Sequence, residues 1–498
     1  MMANLDVLFV NPGNAKKIYQ SLSGTFSAIE PPFLAALSAD FIRNNGFEAG
    51  ILDSNALGMD FEETAREVAR RSPRLVNIIV HGQQPSASTQ LMSAVGPLCA
   101  AIKHVNPETK ILLTGTHPSA LPERTMKDEA CDFVGQGEGF HTVLGLLQKK
   151  DFSEVPGLWH RNNGSIVPPK MPAKDIEEKD MSAVLRGVAW DLLPMEKYRA
   201  HNWHCFSSDI NNRQPYASLY TSFGCPYKCV FCCINAPFNK HTIRCFSTDW
   251  VMEQLRILTD KYKVKNLKII DEMFVLRPSH VKGICDGITR EGMGDKLNIW
   301  AYARIDTTND NFLDLLQHAG FGWLGLGIES GSKHVRDGVE KGRFTDDDVI
   351  RIVRKIQAHK INAASNFIFG LPDDTLESMQ QTLNLALRLN SEWSNFYCAM
   401  AYPGSQLYPL AKQKSLPLPD DAGGLGWIGY SQHAYETMPL PTETLPAADV
   451  LRFRDNAHIT YFTNQAYLDL IKEKFGDTVV AHVREMCTHK LKRKLLGD

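Results

Sequence analysis

Apolar residues in this chain fall into two patterns that alternate: short unbroken runs, and longer stretches with apolar positions three and four residues apart. The run Asp6-Val-Leu-Phe-Val10 predicts a buried strand, stopped by the turn-forming Asn11-Pro-Gly13. Pro31-Pro32 opens a helix to about Asn45, with Phe33, Leu34, Leu37, Phe41 and Ile42 on one face. Gly46 ends that helix, and Ala49–Asp53, Leu75–Val80 and Lys110–Thr114 follow as further strands with helical segments between them. Such alternation predicts a doubly wound α/β unit over residues 1–150, with parallel strands and helices on both faces. Loops at strand carboxyl ends would then share one edge: Asn11–Gly13, His81–Thr89, Gly115–Pro122 and Gly135–Gly139.

Residues 151–215 carry several prolines and a charged stretch with little periodicity, which predicts a connector. A second series then begins, with candidate strands at 217–222, 267–270, 299–303, 323–328, 364–369 and 395–400. Amphipathic helices such as Asp249–Tyr262 and Asp346–His359 separate them. Repetition of this βα unit over 216–400 predicts a full or partial parallel β/α barrel, with its chemistry at strand carboxyl ends. Residues 401–498 read as a mostly helical carboxyl-terminal region, ending in Lys490-Leu-Lys-Arg-Lys494, a basic run expected to be a solvated helix end.

Length fits two or three cores, since the chain has 498 residues, 43% of them hydrophobic. Fifty-four Lys and Arg against 56 Asp and Glu leave a net charge of −2, too small a field to argue for nucleic acid. No secretory leader and no run of eighteen apolar residues is present, so a cytoplasmic protein without a membrane span is expected. Eleven cysteines are a poor disulfide framework, yet four of them lie between Cys225 and Cys233.

The segment Thr221-Ser-Phe-Gly-Cys225-Pro-Tyr-Lys-Cys229-Val-Phe-Cys232 sets three thiols at C-x3-C-x2-C spacing directly after a predicted strand. Structural zinc ordinarily takes four Cys or His ligands in paired short spacings, whereas a cluster held by three thiolates keeps one iron open. Cys233 next door is expected to be a free thiol turned away, and Cys205, Cys245, Cys285 and Cys398 stand alone. The spacing, with Phe231 before the last cysteine, resembles the signature of radical S-adenosylmethionine (SAM) enzymes. That resemblance implies a 4Fe-4S cluster on Cys225, Cys229 and Cys232, SAM on its open iron, and Phe231 near the adenine. By the same resemblance the ends of later strands contact SAM. Glu272 stands where the family has an acidic residue for the ammonium, without the family's glycines. Arg304 suits the carboxylate or ribose, and Glu329, Ser330 and Gly370 lie in loops like those beside ribose and adenine.

A doubly wound, Rossmann-like domain ahead of such a barrel is similar to the cobalamin-binding domain of the cobalamin-dependent branch of this family. The likeness implies cobalamin on Asn11, Pro12, Gln83, Ser86, Ser88, Thr89, Gly115, His117, Gly137 and Glu138. Asn11-Pro-Gly-Asn14 replaces the Asp-x-His-x-x-Gly pattern that supplies a cobalt-binding histidine, so no histidine ligand is expected there. His81 and His117 read as hydrogen-bonding groups. Facing the two domains would implicate a methyl transfer from SAM by way of cobalamin to an unactivated carbon of a small molecule. An external donor such as flavodoxin or ferredoxin would supply the electron. Radical rearrangement or cyclisation without methyl transfer is the alternative, and a non-catalytic corrinoid or redox sensor a third. Substrate choice is assigned to the connector and 401–498, including Tyr402 and Tyr430–His433.

Overall fold

The structure is a computed structural model and describes residues 5–82, 84–238, 240–342 and 344–498. Its first sheet contains β1 (Val7–Asn11), β2 (Ala49–Asp53), β3 (Leu75–Val80), β4 (Ile111–Gly115) and β5 (Phe133–Gly135), parallel in the order β2-β1-β3-β4-β5. Every residue of β3 is buried, because helices cover both faces of the sheet; this is why the strand reads as an unbroken apolar run. Leu8, Val10, Ile78 and Leu113 meet Val95 and Leu98 of helix Ser88–Val105 on one face, while Phe9 and Leu112 join helix Phe33–Asn44 on the other.

The sheet continues past residue 150, into the segment expected to be a connector. β6 (Leu158–Asn162) pairs antiparallel with β5, and β7 (Ser165–Val167) pairs with β6. Between them Asn163 and Gly164 both have positive φ, +47° and +82°, the two-residue turn that matches strand twist. The hairpin escapes a hydrophobicity reading because an edge ribbon buries little: its tip residues, Arg161 to Ser165, are exposed. Beyond it, the connector packs on the first domain, where Ala189 N donates to Ala36 O at 3.1 Å and Tyr198 OH donates to the buried Asp53 carboxylate at 2.9 Å.

The second sheet is built of β8 (Tyr216–Leu219), β11 (Asn266–Ile269), β12 (Asn298–Ala303), β13 (Phe321–Glu329), β14 (Asn362–Phe369) and β15 (Trp393–Cys398). All are parallel, in the order β15-β14-β13-β12-β11-β8, a six-stranded open barrel whose edges are β8 and β15. A short ribbon of β9 (Ser222–Phe223) and β10 (Arg244–Cys245) follows β8, so the strand expected through Ser222 leaves the main sheet after Leu219. Helices Ala447–Phe462, Gln465–Phe475 and Asp477–Thr488 close the chain. The first of them lies along β15, with Tyr461 OH donating to Ser391 O at 2.6 Å and Arg454 Nε to Phe396 O at 2.7 Å. The terminal basic run departs from expectation: Arg493 is 1% exposed and ion-paired with Asp455 at 2.9 Å.

The two sheets share one apolar core that contains Phe33 and Trp190 together with Phe223 and Trp250. Polar contacts also cross between them: Lys268 of β11 pairs with Glu30 at 2.9 Å, and Arg244 of β10 with Glu138 at 2.6 Å. No helix among the described residues is long and apolar enough to cross a membrane.

Candidate functional site

The cysteine loop leaves the barrel at β8 and is held at its root by Asp271, which follows β11. The Asp271 carboxylate accepts from Thr221 N at 2.6 Å, Thr221 Oγ1 at 2.5 Å and Ser222 Oγ at 2.6 Å. Burial pushes this carboxyl up to about 6 despite those donors. Gly224, with φ +81°, makes the turn into the loop; a Cβ there would sit 2.4 Å from Thr242 O, so only glycine fits. Asn235 then brackets Cys225, accepting from its N–H at 3.1 Å and donating to its carbonyl at 2.9 Å. Cys225, Cys229, Cys232 and Phe231 all line a cavity of about 720 Å³ at the mouth of the barrel. Cys233, expected to turn away, lines it as well.

Around this loop the strand ends contribute charge. Glu272 lines the cavity, and its carboxylate takes one long bond, 3.4 Å, from Tyr220 OH. Burial and the adjacent Asp271 push it well above the usual carboxylate range, and Tyr220 and Lys268 offset this in part. Arg304, after β12, lies over the Tyr227 ring at 3.8 Å, pairs with Asp306 at 2.8 Å and sets Nη1 3.8 Å from Cys229 Sγ. Glu329 has φ +68° at a register shift between β13 and β14, and pairs with Lys341 at 2.7 Å. Gly327 leaves room for that pair, since a Cβ there would meet Lys341 Nζ at 2.5 Å.

Two expected SAM contacts are not at the cavity. Past the bulge at Glu329 the chain turns outward, and Ser330 is fully buried against Thr382, Oγ to Oγ1 3.1 Å. Gly370 donates its N–H to Asp374 at 3.0 Å, and a Cβ on it would strike Val450 at 2.5 Å. Their geometry serves the packing of helices Leu376–Leu389 and Ala447–Phe462.

The first domain reaches the cavity through the loop after β3. Gln84, Ser86, Ala87 and Gln90 line it, and Gln84 donates to Tyr302 OH across the domain boundary. Gln83 lies outside the described residues. Asn11 and Pro12 line a smaller cavity, about 90 Å³, with His81 and Tyr220. His81 bridges Tyr220 OH and Thr116 Oγ1, each at 3.1 Å, so a hydrogen-bonded path runs from the β4 loop through Tyr220 to Glu272.

The other crevice residues expected on cobalamin are spent within the protein. Ser88 accepts from Gly82 N at 3.0 Å, and Thr89 bonds His117 at 3.2 Å. His117 is covered edge-to-face by Trp427 at 4.5 Å. Gly115, φ +115°, lets β4 pass β3, where a Cβ would meet Val80 O at 2.3 Å. Gly137 donates to Ser119 Oγ at 3.1 Å, and Glu138 is taken by Arg244 and by Ile176 N at 3.0 Å. The sequence shows which loops lie on this edge, but not that residues 151–176 and 427–430 would cover two of them.

Residues that sequence reasoning passed over complete the wall, among them Lys268, Trp203, Tyr397 and Arg454. Of these, Lys268 carries a sequence signal, a charged residue inside an apolar strand. Tyr402, Gln432 and His433, from segments singled out for substrate choice, do line the cavity.

The donor sets fit the cofactors implied by the motif. Among the described residues no three His, Cys, Asp or Glu side chains converge on a single-ion site, whereas a cubane takes each thiolate on a different iron. Glu272, half-buried and short of donors, suits an ammonium, and Arg304 suits a carboxylate. For a corrin, the polar loop after β3 and the Asn11-Pro12 turn offer amide and hydroxyl partners at the boundary between the sheets.

Comparison with known proteins agrees with this arrangement. Residues 219–386 match the sequence model of the Radical SAM superfamily and residues 21–147 that of the B12 binding domain. The chain is 28% identical over 416 residues to an uncharacterized methyltransferase of Pyrococcus horikoshii, covering 81% of this chain and 84% of the relative. It is 21% identical over 414 residues to the anaerobic magnesium-protoporphyrin IX monomethyl ester cyclase of Rubrivivax gelatinosus, covering 81% and 69%. Among solved structures it resembles the radical SAM methyltransferase TsrM from Kitasatospora setae with cobalamin and a [4Fe-4S] cluster bound. The TM-score is 0.67 at 18% identity, over 92% of this chain and 88% of that one. With a cysteine loop at the mouth of a parallel barrel, a doubly wound domain against it and both family models matched in that order, the chain belongs to the cobalamin-dependent radical SAM family.

Proposed function

We propose that this protein is a cobalamin-dependent radical SAM methyltransferase that modifies an unactivated carbon of a small molecule. One observation carries the reading: Cys225, Cys229, Cys232, Glu272 and Arg304 line the same cavity as Gln84 and Ser86 of the first domain. Bound there, the cluster would supply reductive chemistry to SAM and cobalamin would serve as methyl carrier. In this reading Cys225, Cys229 and Cys232 hold the cluster, and Glu272 accepts from the SAM ammonium. Arg304 receives its carboxylate, with the guanidinium kept flat by Tyr227 and Asp306. Glu329, neutralised by Lys341, offers an acceptor to ribose hydroxyls without adding net charge. Gln84 ties the loop after β3 to Tyr302 and so holds the first domain against the barrel at the cavity. The electron comes from an external carrier such as flavodoxin or ferredoxin. A ring-forming outcome is the second reading, favoured by the likeness to the Rubrivivax gelatinosus cyclase.

Products separate the two. Reconstituted protein is incubated anaerobically with reductant, SAM, cobalamin and a metabolite extract, and 5′-deoxyadenosine and S-adenosylhomocysteine are read by mass spectrometry. Methyl transfer yields both compounds, and the triple variant Cys225→Ala, Cys229→Ala, Cys232→Ala reduces 5′-deoxyadenosine to background. 5′-Deoxyadenosine alone favours ring formation, and neither compound overturns the radical SAM activity.

A further inference from the structure

The wall of the cavity formed by the carboxyl-terminal region holds a guanidinium with donors to spare. Arg454, on helix Ala447–Phe462, is 6% exposed and lines the cavity. Its Nε is used by Phe396 O at 2.7 Å and its Nη1 by Asp455 Oδ1 at 2.7 Å; its Nη2 donates to none of the described residues. Asp455 cannot neutralise it alone, because both of its oxygens also accept from Arg493, each at 2.9 Å. One carboxylate thus serves two buried guanidiniums; Asp498, the other acid at Arg493, is exposed and accepts from its backbone N–H at 2.7 Å.

Arg454 lines the cavity and its Nη2 is not sealed in the core, so an anion or strong acceptor in the cavity can complete the guanidinium. The neighbours on the cavity wall are suited to that task. His458 follows Arg454 by one helical turn, and His433, Tyr397 and Asn456 line the same cavity. Burial, together with the Arg454 charge, keeps His433 and His458 neutral, so each can give or accept a hydrogen bond without adding charge. Arg304, by contrast, is assigned to SAM in the reading above, and Lys341 is paired with Glu329, so neither is left for the substrate. Trp203, Trp300 and Trp393 give the cavity an apolar wall for the body of a substrate.

We propose that the substrate carries an oxyanion, a carboxylate or phosphoryl group, and that Arg454 binds it through Nη2. Arg454 is thereby a specificity-determining residue, holding the substrate by its charged end so that its apolar part lies along the aromatic wall. The inference rests on the methyltransferase reading of this cavity for the word substrate, and on the Arg454 geometry for the anion.

The test uses reconstituted holoenzyme, loaded with cobalamin and saturating SAM so that the cofactor sites are filled. Benzoate, phenyl phosphate and neutral benzyl alcohol are titrated by anaerobic calorimetry. One of the two oxyanions is expected to bind at least about tenfold more tightly than benzyl alcohol, and which one does so tells carboxylate from phosphoryl. Arg454→Gln is expected to weaken that oxyanion about tenfold or more with iron and cobalamin content unchanged, while Arg454→Lys retains part of the affinity. Should Arg454→Gln not fold, Arg454→Lys and His458→Gln, each weakening the oxyanion and not the alcohol, carry the comparison. Equal affinity for charged and neutral probes, or no effect of the Arg454 and His458 variants, overturns the proposal. Loss of cobalamin from Arg454→Gln with iron retained also overturns it, assigning the cation to the corrin. Formation of 5′-deoxyadenosine is read in parallel: its absence from the wild type counts against the methyltransferase reading, whereas anion binding stands or falls separately.

Discussion

His117 owes its charge state to what covers it. Read as a loop residue, it stands in Gly115-Thr-His-Pro and looks free to meet a ligand; in the structure it is buried beneath Trp427 and bonded to Thr89. Burial, with Arg124 nearby, lowers it from 6.5 to about 3. An unfolded chain takes up a proton at this ring below about 6.5 and the folded protein does not, so its contribution to stability is full above that pH and is lost as pH falls toward 3. The stability difference between wild type and His117→Gln should therefore move against the wild type by up to about 1.4 kcal/mol per pH unit below pH 6.5. Urea denaturation of both proteins at pH 7.5 and about pH 5 checks this. A pH-independent difference would mean that His117 takes up its proton alike in the folded and unfolded protein. Trp427 lies 310 positions further along the chain, so no local pattern could have revealed the cover.

At the scale of elements, β13 shows how a strand end becomes a site. Regular pairing holds to Gly327; the register then shifts, Glu329 enters the left-handed region, and its carboxylate meets Lys341 inside the cavity. Lys341→Met leaves that carboxylate buried without its cation and should cost about 3–5 kcal/mol. The double variant Lys341→Met, Glu329→Gln should recover most of the loss, as thermal melting of the two proteins would show. Equal melting of the single and double variants would mean that the unpaired Glu329 carboxylate is not the source of the loss. The bulge also explains why Ser330 faces Thr382 and not the cavity: one displaced residue redirects every side chain after it. The cysteine loop was legible because its spacing is local, and Glu272 because it ends a strand. Ser330 and Gly370 do not line the cavity, because strand-end position alone does not set which way the chain turns next.

Across the whole molecule, the two sheets are joined by groups that look like ordinary surface charges in the sequence. Glu30 follows a loop of the first domain and Lys268 sits within β11; in the fold both are nearly inaccessible and 2.9 Å apart, with Trp300 beneath the ammonium at 4.8 Å. Glu30→Gln should lower the melting midpoint by an amount equivalent to about 3–5 kcal/mol, and Glu30→Leu with Lys268→Met should restore most of it. If the single variant melts as the wild type does, the pair is not what locks the domains. This junction sets the cavity, since Gln84 reaches Tyr302 and His81 reaches Tyr220 only when the sheets are docked.

What the sequence determined by itself is what depends on neighbours in the chain. Period and run length specify the alternating strands and helices, and the C-x3-C-x2-C loop after a strand specifies a cluster-binding chemistry. Tertiary structure alone decided the rest: which crevice loops stay open, that residues 158–167 extend the first sheet, and that Arg493 is buried against Asp455 beside Arg454. Those facts join residues tens to hundreds of positions apart, and burial and charge pairing are properties of that meeting, not of either residue's own segment.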